Sequence, residues 1–368
     1  MVDRKEFLEV LEAVAKTPAP SGMEDKRVSL ILNWFEKNGV YAYADEAKNV
    51  IVPFGDVKGD KINVFLGHTD VVFPDMEPLP YHDDGEKIHC PGIADDTVHA
   101  VQLMFIARAL TQEKITPKHG MLLVMNSCEE GLGNLKGIRQ IMKDFEGRVA
   151  CVISVDGSYN HIVNKAVGSE RYKVTARTIG GHSFGAFGNP NAIEKLAKVI
   201  CELYQVEVPH VGNSKTTYNV GTISGGTSVN TIAQEVEMLY EFRSDEYECV
   251  EKMRENFDAI IEKNRNEDVE IDVEILGIRP CGKGVDEKEL DALTARCIKI
   301  CEEISGIECK INSGSTDSNI PLSLGVPSVT IGGSIAFGAH RREEWVDKES
   351  IFVGYEIVDR TVRDFIND

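Results

Sequence analysis

Residues 63–74 read NVFLGHTDVVFP, an apolar run of strand length followed by a glycine and then by a histidine and an aspartate two positions apart. Apolar residues without polar alternation mark a strand covered on both faces, as in a largely parallel sheet. Ending such a strand on His68 and Asp70 puts polar atoms where each must find a partner or lose free energy. Three further runs share the texture, HGMLLVMNS at 119–127, RVACVISV at 148–155 and VPSVTIGG at 326–333. Between the first two strands, Val101, Leu103, Met104, Ile106 and Leu110 mark a helix over about 97–112, and amphipathic helices over 3–16 and 24–38 flank the breaker PAPSG at the start. Strand and helix alternate, which makes the core α/β.

The middle of the chain differs. From Arg171 the order is strand RYKVTARTI, helix NAIEKLAKVICELYQV, strands TTYNVGTIS and AQEVEMLYEFRS, helix YECVEKMRENFDAIIEKNR and strand VEIDVEILGI. This βαββαβ order is the split βαβ pattern of a small ferredoxin-like α+β domain. After Pro280 the α/β texture returns, with a helix over 287–305, the run ECKINSGSTDSN and a last helix near 349–366. The expected organisation is therefore an α/β domain over 1–170 and 280–368 with a second domain, 171–279, inserted into it.

Composition narrows the function. Sixty acidic residues against 40 basic ones give a formal charge of -20 over 368 residues. Such a field repels nucleic acid and anionic lipid, so neither is an expected partner. The nine cysteines are odd in number and form no C-x-x-C pair, which points to free thiols in a reducing compartment. No run approaches the length of a membrane span, and the first residues lack the apolar core of a signal peptide, so a soluble cytoplasmic protein is expected.

Each apolar strand is followed by a histidine or a carboxylate: His68 and Asp70, then Glu129 and Glu130, then Asp156, and after VTIGG a loop leading to His340. The loop CPGIADD adds Asp95 and Asp96 just before the helix at 97. Ligands of open α/β sheets bind beyond the carboxyl ends of the strands, so these side chains would meet in one crevice. Taken singly, each has a plainer use. Asp95 and Asp96 could cap the helix, Asp156 could serve a turn with Gly157, and the adjacent Glu129 and Glu130 would point opposite ways in extended chain. Together, so many carboxylates at one edge repel one another unless cations or protons intervene. Asp70, two residues from His68 on the same face, can accept the second ring N–H of a metal-binding histidine.

HTD at 68–70, GIADD at 92–96, EEG at 129–131, VDGS at 155–158, GGHS at 180–183 and AHRREEWV at 339–346 resemble, in order, the motifs of metallopeptidase family 20. That family includes tripeptidase T, carboxypeptidase G, acetylornithine deacetylase and succinyl-diaminopimelate desuccinylase. The resemblance spans essentially the whole chain. It implies a zinc-exopeptidase-like catalytic domain with a mixed, largely parallel sheet, carrying an inserted lid and dimerisation domain, and a homodimer formed through that insert. It also implies two Zn2+ ions per subunit, with Co2+ or Mn2+ as substitutes. His68, Asp95 and Asp156 would hold one ion; Asp95, Glu130 and His340 would hold the other, with Asp95 shared. Glu129 would be the general base, Asp70 would orient His68, and His182 would reach a partner's site to stabilise the oxyanion. Asn230 and Arg243 match positions that bind a substrate carboxylate, and Gly314, Thr316, Asp317 and Asn319 match a loop lining the specificity pocket. The family often has a lysine directly after the paired acids, whereas Thr97, Val98 and His99 stand here. The expected activity is hydrolysis of a small peptide with a free carboxylate; the alternative is deacylation of an N-acyl amino acid, and a more remote one is a non-catalytic binding protein.

Overall fold

A computed structural model of the chain describes residues 2–368. It divides into two compact units, one formed by the chain up to Ala166 together with Gly282–Asp368, the other by Val167–Cys281. The first is built on an eight-stranded mixed sheet. Its spatial order is Tyr43–Ala44, Val50–Phe54, Gly120–Asn126, Ile62–His68, Val149–Val155, Ser328–Ile331, His161–Ala166 and Lys310–Gly314. Four central strands run parallel, from Gly120–Asn126 to Ser328–Ile331. Every residue of Ile62–His68 and of Gly120–Asn126 is buried, which is why neither alternates in polarity. Fully burying Val64, Phe65 or Leu66 contributes about 1.5–3 kcal/mol each.

The parallel strands end in register. His68 lies opposite Asn126, and Ile331 opposite Val155, so the segments after them leave from one edge of the sheet. Behind the sheet, the helix Val98–Gln112 is buried on nearly all sides and packs against Arg4–Lys16 and Lys348–Asp364. Phe7 and Phe105 meet there with ring centroids 4.9 Å apart.

The flanks hold a strand that the sequence reading missed, Val50–Phe54, which pairs antiparallel with Gly120–Asn126. His161–Ala166 runs antiparallel to Ser328–Ile331 and parallel to the edge strand Lys310–Gly314, so the sheet is mixed and largely parallel, as expected. A small antiparallel sheet of Ala336–Phe337, Trp345–Asp347, Lys87–His89 and His82–Asp83 was also not foreseen; its strands are two or three residues long and carry no period to detect.

In the second unit the six elements are Gly168–Arg177, Ala192–Leu203, Thr216–Gly225, Glu235–Ser244, Tyr247–Asn264 and Glu270–Arg279. The four strands form an antiparallel sheet in which Glu235–Ser244 and Gly168–Arg177 are central. Alternate residues of Glu235–Ser244 are buried in a core shared with Leu196, Val199, Met253 and Phe257 of the two helices. A short ribbon, Gly181–His182 with Thr231–Ile232, is attached to this sandwich. Among the described residues, no helix is long and apolar enough to cross a membrane.

Candidate metal centre

His68 closes its strand with both ring nitrogens engaged. Nδ1 lies 3.1 Å from the backbone carbonyl oxygen of Asp70 and 3.5 Å from Asp70 Oδ1. A proton on Nδ1 leaves Nε2 directed at Asp95 Oδ1, 3.1 Å away. The other oxygen of Asp95, Oδ2, lies 3.2 Å from His340 Nε2, which in turn is 3.1 Å from Glu130 Oε1. One carboxylate therefore faces two histidines. Ligand atoms of His68, Asp95 and Asp156 all lie within 4.8 Å of one another, as do those of Asp95, Glu130 and His340. Glu129 forms a third such group with His68 and Glu130, so the two adjacent glutamates converge instead of pointing apart. Cys128, with φ +56°, breaks the extended chain just before them.

The acids beside these residues pin the backbone that carries them. The Asp70 carboxylate accepts the N–H of Glu129 at 2.9 Å and of Glu130 at 3.0 Å, and the Ser21 hydroxyl at 2.6 Å. Asp70 thus fixes the glutamate loop as well as the His68 ring. Asp96 does not cap the helix: its Oδ2 accepts the His68 N–H at 2.8 Å, and its Oδ1 is paired with His99 Nδ1. Gly67 makes this approach possible, because a Cβ there would come within 3.0 Å of Asp96 Oδ2. The Asp95–Asp96 peptide bond is cis. Glu24, buried, accepts the Cys128 N–H at 3.2 Å.

Charge explains why these groups hold together. Burial opposes ionisation of Asp95, but hydrogen bonds from His340 and His68 outweigh it and hold the carboxyl below its usual range. The reciprocal effect of Asp95 and Glu130 raises His340 to about 10. Burial, reinforced by the charge of Asp95, pushes Asp156 up to about 7.

Sequence reasoning passed over Arg27, His99 and Glu24. Arg27 is fully buried and donates to the carbonyls of Thr17 and Thr69 and, at 3.2 Å, to the Thr97 hydroxyl. A cation thus reaches the place where the resemblance led one to expect a lysine, from the helix Asp25–Lys37 instead. His99 Nε2 accepts the Gly333 N–H at 3.2 Å, which puts the ring proton on Nδ1 facing Asp96. Burial drops this histidine to about 3, so it is a neutral brace. Arg27 stands four residues before Ile31, on the apolar side of its helix, and that placement was its only local signal.

In the second unit, His182 pairs with Thr231, and the Ser183 N–H donates to the Asn230 carbonyl at 3.0 Å, so His182 and Asn230 are neighbours. His182 Nδ1 accepts the N–H groups of Phe184 and Gly185, both at 3.2 Å; the neutral ring therefore carries its proton on Nε2. Arg243 is elsewhere. It sits near the far end of Glu235–Ser244, eight residues or about 26 Å along the strand from Glu235, beside Glu241. Of the 314–319 loop, Gly314 is half-buried, whereas Thr316, Asp317 and Asn319 are buried; Asp317 accepts from Asn126 at 2.7 Å and Thr316 bonds Thr330 at 2.7 Å.

The sequence profile described as Peptidase family M20/M25/M40 matches residues 64–364. The chain belongs to this family. As an M20 family member it is a hydrolase acting on amide bonds. It is 22% identical over 351 residues to the uncharacterized protein YqjE of Bacillus subtilis, covering 90% of this chain and 91% of that one. It is 29% identical over 232 residues to the succinyl-diaminopimelate desuccinylase of Cupriavidus necator, a match covering 57% of this chain and 59% of that enzyme. The fold is that of a tripeptidase from Staphylococcus aureus, with a TM-score of 0.75 at 20% identity over 100% of this chain and 99% of that one.

Proposed function

We propose that this M20 family member is a dinuclear metal-dependent exopeptidase that cleaves di- or tripeptides bearing a free carboxylate. The observation that carries this reading is Asp95, whose two oxygens face two different histidines, each completed by a further carboxylate. Imidazole nitrogen with carboxylate oxygen is a donor set that fits Zn2+, and also Co2+ or Mn2+. His68, Asp95 and Asp156 would hold one ion, and Asp95, Glu130 and His340 the other. Two bound divalent ions would polarise the scissile carbonyl and acidify a water. Glu129 would be the base that takes a proton from the attacking water and returns it to the leaving amine. Nine cysteines without a C-x-x-C pair fit the reducing cytoplasm as its setting.

The second unit supplies recognition in this reading. His182 offers an Nε2 proton to the oxyanion, and Arg243 and Asn230 bind the substrate carboxylate. The strand length that separates His182 from Arg243 supports a reading in which His182 acts on the site of a partner subunit. Phe184, Phe187 and Val229, next to His182 and Asn230 and 89%, 90% and 103% exposed, supply apolar surface for such a partner. His182→Ala is expected to lower kcat on the order of 10²-fold or more. Mixing it with a Glu129→Gln variant is expected to restore activity, because the mixed dimer contains one intact site; no restoration would place His182 in its own subunit's site.

The similarity to desuccinylases supports a second reading, deacylation of an N-acyl amino acid, which uses the same centre with a different pocket. Amine release from a panel of di- and tripeptides and N-acyl amino acids separates the two. The enzyme would be loaded with Zn2+, Co2+ or Mn2+ beside a chelated control. Peptide cleavage abolished by chelation is expected; turnover of acylated amino acids alone would establish the second reading, and turnover surviving chelation would refute both.

A further inference from the structure

We infer that Glu344 is a positioning residue that fixes the shared ligand Asp95 and ties it to the loop carrying His340, an inference that rests on the metal reading above. Glu344 is 1% exposed. Its Oε2 accepts the Gly92 N–H at 2.8 Å, and its Oε1 accepts the N–H groups of Ala94 at 2.8 Å and Asp95 at 3.0 Å. A buried carboxylate needs strong compensation. Here it comes from converging backbone N–H dipoles of one turn, an anion-binding concavity made by the chain itself.

The turn is shaped for this contact. Gly92 adopts φ +74°, and a Cβ on it would lie 2.3 Å from Val71 Cγ1, so only glycine lets its N–H face the carboxylate. Glu344 follows His340 by four residues in a turn closed by the Arg341 N–H to the Gly338 carbonyl, 2.9 Å. Its own carbonyl accepts the Cys90 N–H at 3.2 Å, and Trp345 then pairs with His89 in an antiparallel ladder. Of these two short strands, Lys87–His89 runs into the loop bearing Asp95 and Trp345–Asp347 leaves the loop bearing His340, and Glu344 clamps the loops to each other.

This position predicts a particular failure. Metal ligation tolerates errors of only about 0.2 Å. Releasing the Asp95 backbone displaces a carboxylate that both ions share, so both binding steps weaken together. Gln at 344 keeps a carbonyl acceptor but turns an amide N–H2 toward backbone donors.

The test is Co2+ titration of the metal-free protein, followed by its visible absorption bands and by metal analysis, for wild type, Glu344→Gln, Glu344→Asp and the exposed neighbour Glu343→Gln as control. Expected for Glu344→Gln is a 10–100-fold loss of Co2+ affinity at both steps, with shifted bands. At saturating Co2+, kcat should fall with KM little changed, and Glu343→Gln should match wild type. Glu344→Asp, which keeps the charge but shortens the reach, should show the same loss to a smaller degree, and serves alone if the Gln variant does not fold. Wild-type affinity and bands in a variant that is merely less heat-stable would overturn the inference, because a purely structural glutamate changes stability only. Weakening of a single step would also overturn it, by confining the effect to His340. Failure of wild type to bind two Co2+ ions would instead remove the metal reading, a result visible before any variant is compared.

Discussion

Replacing Glu129 with glutamine is expected to lower kcat on the order of 10²–10⁴-fold while leaving bound metal at the wild-type level. Glu129 is 5% exposed and offers an oxygen within 4.8 Å of ligand atoms of His68 and Glu130, so its carboxyl stands at the edge of the centre. Its place is set through the backbone, by the 2.9 Å bond from its N–H to Asp70 Oδ1, and that bond survives any change of side chain. Glutamine has the same length and still accepts hydrogen bonds, but it cannot take a proton at neutral pH. Chemistry would fail while geometry persists. The check is steady-state kinetics beside metal analysis of the same preparation. Activity within tenfold of wild type would remove Glu129 from the base role, and loss of metal together with activity would show it to be a ligand.

How much of this could be read beforehand depended on burial and on sequence distance. Ile62–His68 and Val149–Val155 are largely buried, and their nearly continuous apolar runs announced them. Lys310–Gly314, mostly exposed at the sheet edge, has no such run, and Pro53 disguised Val50–Phe54, where an edge-side position tolerates proline. The acids after the strands were legible as a set because strand ends of a parallel sheet share an edge. Their division of labour was not. Whether Asp96 caps a helix or holds the His68 N–H is decided by a residue 28 positions away. Arg27 finds Thr69 across 42 positions and Glu344 finds Asp95 across 249, and no local periodicity reports such pairs. The separation of His182 from Arg243 was implicit in the ten-residue strand between them, since strand length is distance. The motif order grouped them by role and hid it.

Replacing Asp95 with alanine is expected to cost both metal ions, with each affinity falling by more than about 100-fold, because loss of a ligand exceeds the 10–100-fold typical of losing an outer hydrogen-bond partner. His340→Ala should cost one ion only. The difference follows from the two faces of the Asp95 carboxylate, 3.1 Å from His68 Nε2 and 3.2 Å from His340 Nε2. Proton competition supplies a second signature. His340 is held at about 10 by its bonds to Asp95 and Glu130, so a metal ion must displace a proton from it, and wild-type affinity should rise with pH through the neutral range. Removing Asp95 takes away the larger of those two bonds, lowers the histidine toward its ordinary value of about 6.5, and flattens that dependence. Burial and the Asp95 charge also keep Asp156 near 7; with the charge gone, it should ionise at lower pH. Metal analysis and Co2+ titration across pH 6–9 measure both effects. A variant that retained two ions would show that Asp95 is not shared, and one that retained a single tightly held ion would assign Asp95 to one site alone.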